Sequence, residues 1–268
     1  MPAKTAMTSG RLMLPRRALF GGALALPALL QTSPASAQRI AWQRIPGRAE
    51  DVAANGGQVF ITGGDRLDKG FRVFRWTGQT SGNPWAPMPG IGTEISADDQ
   101  GNPWIVNSDQ EIFRWQGGAF QQVPGRANDI AAGGGKVYAI GSQRAGSGFD
   151  IWRWDGGRSW NMLPGAAVRI ASDNHGDPWV VSEDRGIFAW VQGRWERIPG
   201  RATDIACGGP ETFVIGVDAV PGGSGIYQFH PDQPNRLWQS VGGGAFRIAV
   251  GSNGRPWVVT NEGHIYKS

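Results

Sequence analysis

The sequence is poor in several residue types on which common folds and catalytic sites depend. Its 268 residues include one cysteine, three histidines and three tyrosines. The single cysteine, Cys207, excludes an intramolecular disulfide, so stability must come from packing. No segment longer than a turn has an apolar period of 3.6 residues, which argues against a helical body.

The apolar run near the N-terminus is too short to cross a membrane. It covers residues 18–30, follows the pair Arg16-Arg17 and precedes an Ala-Ser-Ala sequence that ends at Ala37. A membrane span needs about 20 residues, so we expect residues 1–37 to be an export signal that is cleaved near Ala37-Gln38. It resembles a twin-arginine signal, and a general secretory route stays open. The protein is therefore predicted to be periplasmic or secreted, with no transmembrane segment in the mature chain.

The predicted mature chain, residues 38–268, has no excess of either charge. The signal contains four basic residues and no acidic residue, and the remaining 22 basic residues balance 22 acidic ones. Nucleic-acid binding requires a sustained excess of Lys and Arg. We therefore expect no nucleic-acid partner.

Glycine, proline and tryptophan are abundant, with 42, 18 and 13 residues, and the tryptophans recur in order. Six repeats begin with an aromatic residue, continue to Pro-Gly or its equivalent, and run into an apolar stretch. Adjacent starts are 35 to 43 residues apart, which is the length of a four-stranded propeller blade. In order, repeats one to six begin at Trp42, Trp85, Phe120, Trp160, Trp195 and Trp238.

Short alternating or apolar runs between turn residues predict four strands in each repeat. In the third repeat they cover residues 129–132, 136–140 and 151–154, followed by the Trp160 segment. The sixth repeat ends without a following aromatic strand, whereas residues 42–45 form a spare one. We therefore predict an all-β fold, a six-bladed β-propeller of four-stranded blades. Its last blade is closed by the N-terminal strand of the mature chain, which removes an exposed edge.

The repeat resembles that of the tectonin (TECPR-type) β-propeller family over residues 42–268. Aromatic-x-x-apolar-Pro-Gly starts, DIA or RIA inner strands, PWVV strands and IFRW-like strands recur in this order. Repeat six departs with Gly242-Gly243 in place of Pro-Gly, and repeat five with Phe229 in place of the third-strand Trp. Family members include lectins for bacterial lipopolysaccharide or modified sugars. The resemblance implies a lectin-like, non-enzymatic protein whose partner is a surface glycan or lipopolysaccharide.

The sequence contains no evident catalytic or metal-binding constellation. Cys207 aligns with Ala54 and Ala132, which predicts a buried spacer and not a nucleophile. The histidines occupy different positions of their repeats, so we expect no metal site; they are His175, His230 and His264. No Gly-rich stretch leads from a strand into a helix, which argues against a phosphate-binding loop. We predict neither an enzyme nor a cofactor.

One inner-strand position carries a charge in every repeat. In chain order the residues are Asp51, Glu94, Asp129, Arg169, Asp204 and Arg247, which we call the charged ring. They could pair between neighbouring blades, as Asp129 with Arg169 and Asp204 with Arg247. Alternatively they form a polar axial pocket in which Glu94 is the least compensated member. A glycan hydrolase could use carboxylates there, although the interleaved arginines and the family resemblance argue against it.

A second candidate site involves one arginine from each odd repeat. Arg48, Arg126 and Arg201 occupy the same place in the Pro-Gly-Arg-Ala segment, and even repeats have no arginine there. We expect them on the face that carries the longer odd-repeat loops, at residues 63–70, 142–148 and 218–225. A guanidinium can bind a sugar hydroxyl pair, a carboxylate or a phosphate with two hydrogen bonds, but these arginines could equally tie loops together.

The leading hypothesis is an exported carbohydrate-binding propeller with up to three related sites. The predicted ligand-binding residues are the three arginines and the acidic ring members: Arg48, Arg126, Arg201, Asp51, Asp129, Asp204 and Glu94. The alternative is an envelope protein that provides a platform for a protein partner. The recurring tryptophans are expected to pack between blades, although an exposed one would suit a sugar ring.

Overall fold

A computed structural model describes residues 39–233 and 237–268, and the predicted signal at residues 1–37 lies outside them. Within these two ranges there are 22 strands and no helix, which agrees with the all-β prediction. None of these residues forms a helix long and apolar enough to span a bilayer. The strands are β1 (Gln43–Asn55), β2 (Gln58–Leu67), β3 (Gly70–Trp76), β4 (Trp85–Gly92), β5 (Glu94–Ala97), β6 (Pro103–Val106), β7 (Glu111–Gln116), β8 (Ala119–Gly133), β9 (Lys136–Arg144), β10 (Phe149–Trp154), β11 (Trp160–Ala167), β12 (Arg169–Ser172), β13 (Pro178–Val181), β14 (Gly186–Val191), β15 (Arg194–Arg201), β16 (Asp204–Gly208), β17 (Glu211–Val220), β18 (Gly223–Phe229), β19 (Trp238–Ala245), β20 (Arg247–Val250), β21 (Pro256–Val259) and β22 (His264–Lys267).

The strands pair antiparallel in four curled sheets. Two sheets have four strands, in the orders β12-β13-β14-β15 and β16-β17-β18-β19. The other two have seven strands each, in the orders β20-β21-β22-β1-β2-β3-β4 and β11-β10-β9-β8-β7-β6-β5. Each seven-stranded sheet contains one long strand, β1 or β8, whose two halves pair with different neighbours.

Strand β1 joins the beginning of the described chain to its end. Its first half pairs with β22, with Ile45 opposite Ile265, and its second half pairs with β2, with Val52 opposite Ile61. The spare strand expected at residues 42–45 therefore begins at Gln43 and lies against the Ile265 strand. Ile45 and Ile265 are fully buried, and burial of such a side chain contributes roughly 1.5–3 kcal/mol.

Five of the six aromatic residues that begin the repeats donate a hydrogen bond to another repeat. The indole Nε1 of Trp85 donates a hydrogen bond to the carbonyl oxygen of Pro46 at 2.7 Å, and Trp42 Nε1 donates to Gly242 at 2.9 Å. Trp160, Trp195 and Trp238 donate in the same way to Pro124, Pro164 and Pro199. We call these five bonds the tryptophan clasps.

The clasps also explain the glycine of the Pro-Gly step. Gly47 has a φ of 117°, which side chains other than glycine rarely adopt. A Cβ atom there would lie 2.9 Å from Nε1 of Trp85. Glycine therefore lets the indole approach the backbone closely enough to reach the proline carbonyl.

The odd-repeat segments predicted as long loops are mostly extended strands. Residues 63–70 belong to the ends of β2 and β3, and residues 218–225 to β17 and β18. The hairpin tips contact the next even repeat, because the carbonyl oxygens of Lys69, Ser147 and Gly222 accept hydrogen bonds from Ser108, Glu183 and Asn261. The loop prediction was wrong for most of residues 63–70 and 218–225, whereas residues 145–148 of the third segment do lie between β9 and β10. Glycine-rich composition does not reveal the cross-sheet contacts of these strands.

Candidate functional site

Four members of the charged ring are the first residues of β5, β12, β16 and β20. The other two, Asp51 and Asp129, lie in the second halves of β1 and β8. All six members line one cavity of ≈ 80 Å³, together with small residues such as Ala53, Ala131 and Ser172. A space of that size accommodates a few water molecules but not a sugar ring.

The three aspartates of the ring bind backbone N–H groups. Oδ1 of Asp51 accepts from the N–H of Val52 at 2.9 Å, and Oδ2 accepts from the N–H of Ile95 in the next repeat at 2.8 Å. Equivalent bonds connect Asp129 to Ile170 at 2.9 Å and Asp204 to Ile248 at 3.1 Å. These carboxylates therefore hold the inner strands of neighbouring repeats together.

Glu94 is the best compensated acid of the ring, which corrects the expectation that it is the least compensated. Its Oε2 lies 2.9 Å from Nη1 of Arg169, and its Oε1 lies 3.3 Å from Nη2 of Arg247. An arginine side chain is long enough to reach across the cavity. Glu94, Arg169 and Arg247, one from each even repeat, therefore meet inside it.

The predicted pairs between neighbouring repeats hold only in part. Arg169 lies 3.8 Å from Asp129, as expected. Arg247 instead approaches Asp51, with 3.7 Å between Nε and Oδ1, while Asp204 lies 4.0 Å from Arg169. The expected pair of Asp204 with Arg247 is replaced because Arg247 turns toward Glu94 and Asp51.

Burial changes the acidity of the ring. It raises the pKa of the Asp129 carboxyl to about 7, Arg169 opposes this rise, and Glu94 and Asp204 add to it. Burial and the Glu94 charge also hold the pKa of Asp51 well above its usual range. Burial opposes the charge of Arg169, but the carboxylates of Glu94 and Asp129 outweigh this effect and raise its pKa.

Two of the three candidate arginines contact backbone. Arg126 donates from Nη1 to the carbonyl oxygen of Asp109, and Arg201 donates from Nη2 to that of Asp184 at 3.4 Å. Both carbonyls belong to equivalent turns of the preceding even repeat. Arg48 lies opposite His264 in the pairing of β1 with β22. All three arginines are exposed.

Arg48 borders a cleft of ≈ 460 Å³ whose lining includes Glu50 and Glu262. Arg126 borders a smaller one, which we call the Arg126 cleft. Its volume is ≈ 240 Å³, and its lining is mostly apolar. Its walls include two indoles with fixed orientations, because Nε1 of Trp152 donates to Asp150 Oδ2 at 2.7 Å and Nε1 of Trp160 donates to the Pro124 carbonyl. Ile112, Ala139, Ser142 and Gln143 complete the wall.

The first and fifth repeats, which contain Arg48 and Arg201, have other residues at the Ala139 and Trp152 positions. Strand pairing aligns Ala139 with Ile61 in the first repeat and with Val214 in the fifth. It likewise aligns Trp152 with Phe74 and Tyr227. Ala139, which lines the Arg126 cleft, is thus the smallest of the three residues at this position.

Sequence reasoning missed Asp150 and Trp152 as possible ligand contacts. Every third strand has an aromatic residue at the Trp152 position, so this residue looks like a packing residue. The available signal was the combination of the largest aromatic residue at that position with the small Ala139 across the strand pair.

Cys207 and the possible metal ligands were the other candidates from the sequence, and the structure gives them no chemical role. Cys207 lines the central cavity, and burial raises the pKa of its thiol to about 12, which suits a spacer and not a nucleophile. Within residues 39–233 and 237–268, no group of three or more His, Cys, Asp or Glu residues could hold a metal ion.

The architecture is similar to that of solved propeller structures. A protein assigned as a gluconolactonase has a TM-score of 0.59 at 14% identity, covering 87% of this chain and 92% of that one. The WD40 β-propeller domain of Doa1 has a TM-score of 0.53 at 13% identity, covering 85% and 96%. Streptogramin B lyase has the same score at 12% identity, covering 85% and 95%. At such identities the likeness establishes the fold alone.

The sequence itself identifies the family. No curated protein matches it significantly. The tectonin domain family matches residues 48–152 and 126–268, which together cover both the charged ring and the Arg126 cleft. This chain is a β-propeller protein that belongs to the tectonin family.

Proposed function

We propose that this protein is an exported glycan-binding propeller and that the Arg126 cleft is its principal ligand site. Membership of the tectonin family indicates a binding or interaction protein. The observation that carries the glycan proposal is the pair of fixed indoles beside Arg126 and Asp150. Aromatic faces stack on the apolar face of a sugar, while a guanidinium and a carboxylate bind its hydroxyl groups.

The proposed ring has six four-stranded blades and is closed by the first half of β1. This count assigns the two halves of β1, and likewise those of β8, to different blades. The pairing of β1 with β22 and the clasp from Trp42 to Gly242 support closure. A closed ring gives the two walls of each cleft a fixed separation, which favours binding by preorganisation.

Export follows from the signal proposed at residues 1–37. A surface glycan, lipopolysaccharide included, is the partner that matches a periplasmic or secreted location. Mass spectrometry of the exported protein should detect a chain that begins at Gln38, and an intact N-terminus on the exported protein would contradict the cleavage.

A binding role is better supported than hydrolysis at the charged ring. Three of its carboxylates accept backbone N–H bonds, and Glu94 accepts from two arginines, so each is engaged in holding the fold. The cavity of ≈ 80 Å³ is also too small for a sugar ring. The alternative of a protein-binding platform gains little support, because only three large apolar residues of the described ranges are exposed, Met162, Val217 and Phe246.

The decisive variant fills the cleft with a residue that the fold already accepts at the equivalent place. Binding of the wild-type protein to a glycan array that includes lipopolysaccharides would first identify a ligand. Ala139→Ile, which copies Ile61, should then abolish binding, and Arg126→Ala should weaken it about tenfold, the usual cost of a charged hydrogen bond. Isothermal titration calorimetry would measure both affinities.

The matched control is Arg201→Ala, which removes the equivalent arginine beside Val214 and should leave affinity unchanged. Thermal melting would verify that each variant remains folded. Wild-type affinity in a folded Ala139→Ile protein would refute the Arg126 cleft as the site.

A further inference from the structure

A second cleft lies at the mouth of the central cavity, away from the Arg126 cleft. Its volume is ≈ 410 Å³. Three guanidinium groups line it, from Arg169, Arg185 and Arg247, and the hydroxyl-bearing residues Thr203 and Ser224 add further polar groups. We call it the Arg185 cleft. Such a concentration of arginine side chains is typical of sites that bind carboxylates or phosphates.

An exposed aromatic ring stands at the edge of this cleft. Phe246 is 49% exposed, whereas the equivalent positions before Glu94 and Asp204 are occupied by threonines. The guanidinium carbon of Arg247 lies 4.5 Å from the centroid of the Phe246 ring. The ring is thus partly covered by Arg247, and about half of the residue surface stays accessible beside the cleft.

The arginines of the cleft retain unused hydrogen-bonding capacity. A guanidinium has five N–H donors. Nε of Arg247 is buried without a hydrogen-bond partner, and the nearest acid oxygen, Oδ1 of Asp51, is 3.7 Å away. An unsatisfied buried donor of this kind costs free energy.

The acids near the cleft are already engaged. Glu183 forms two hydrogen bonds with Arg144, at 2.9 and 3.0 Å. Glu94 is shared by Arg169 and Arg247, and the ring aspartates accept backbone N–H bonds. Glu183 also lines the cleft, but within residues 39–233 and 237–268 its salt bridge is to Arg144 and none involves Arg185.

The backbone at Arg185 is also unusual. Its φ is 70°, and the equivalent turn residues are Gln110 and Gly263, with φ values of 65° and 78°. Gln110 demonstrates that an uncharged side chain is compatible with this turn. The charge of Arg185 is thus not needed for the turn itself.

We propose that the Arg185 cleft binds the carboxylate or phosphate of an acidic sugar whose ring stacks on Phe246. This site goes beyond the function proposed above and does not require the Arg126 cleft. The two clefts would recognise different chemical groups, one an uncharged sugar face between indoles and the other an anion.

The test is a calorimetric titration of the wild-type protein with three probes, glucuronate, glucose 6-phosphate and glucose. Glucuronate, glucose 6-phosphate or both should bind saturably, with glucose at least about tenfold weaker. Arg185→Gln and Phe246→Thr copy residues from equivalent positions and should each weaken anion binding about tenfold. Arg194→Gln removes an exposed arginine of β15 that pairs with Glu196, and should change nothing.

The two anionic probes distinguish the source of the charge, since binding of either one alone supports the proposal for that group. Equal affinity for glucose and both anions would overturn it. Unchanged anion binding in folded Arg185→Gln and Phe246→Thr proteins would also overturn it. Ala139→Ile separates the two sites: loss of anion binding in that variant would assign the anion to the Arg126 cleft and refute the Arg185 cleft.

Discussion

The three aspartates of the charged ring stabilise the fold by connecting neighbouring inner strands. Asp51, Asp129 and Asp204 each bridge two inner strands through backbone N–H groups, and burial raises the pKa of all three. An acid with a raised pKa in the folded state holds its proton to a higher pH than the unfolded chain does. The contribution of these residues to stability is therefore largest at acidic pH and decreases as they ionise.

The pH dependence can be tested at Asp129. Its pKa is about 7 in the fold and near 3.9 in an unfolded chain, so its contribution falls from about pH 4 to about pH 7 and is constant above. Asp129→Asn should make the free energy of unfolding less dependent on pH in this window, by an amount on the order of a few kcal/mol. Urea titrations at several pH values would measure it.

Asp155→Asn is the control, because Asp155 is exposed and the hydroxyl of Ser159 lowers its pKa. This substitution should leave the slope between pH 4 and pH 7 unchanged. Parallel curves for the wild type and Asp129→Asn would contradict the assignment.

At the scale of strands and turns, the tryptophan clasps explain why the repeat has its sequence. The aromatic start supplies an indole N–H, the proline supplies the accepting carbonyl, and the glycine supplies space. Phe120 takes the aromatic place in the third repeat and packs against Gly90 without an indole donor. The fold therefore tolerates one repeat that begins without a tryptophan clasp.

Trp85→Phe should remove a clasp while keeping an aromatic ring, as Phe120 does naturally. We expect it to lower the free energy of unfolding by about 0.5–1.5 kcal/mol, because the part-buried hydrogen bond to the Pro46 carbonyl is lost. Chemical denaturation would measure the loss. Met162→Ala, at a residue that is 62% exposed, should change stability by less than about 0.5 kcal/mol. Equal stability of Trp85→Phe and wild type would mean that the clasp bond contributes nothing.

The strands were predictable from sequence, whereas the contacts across the ring were not. In the third repeat, the predicted segments at residues 136–140 and 151–154 lie within β9 and β10, because glycine turns delimit them clearly. The compensation of Glu94 by Arg169 and Arg247 depends on how far side chains extend across a cavity. The open Arg126 cleft depends on a difference in volume between Ala139 and its equivalents, which matters only once the strands are packed.

At the scale of the whole molecule, the proposed closure makes both ends of the fold depend on one strand pair. Ile265→Ala should leave a cavity beside Ile45 and cost about 2–5 kcal/mol. Amide hydrogen exchange should then accelerate in β1 and β22 together.

Ile187→Ala is the matched control, since Ile187 is the equivalent, fully buried residue of β14. It should cost a similar amount but accelerate exchange in β14 and β15 while β1 stays protected. Unchanged protection of β1 in Ile265→Ala would argue against closure by this pair.

The bond from Trp42 to Gly242 spans 200 positions of the chain. Contacts between residues so distant in sequence form late, because a long stretch of polypeptide must first lose its freedom. Until the sixth repeat is available, the first half of β1 would keep one edge unpaired. A protein assembled in this order is vulnerable to aggregation until β22 pairs with β1.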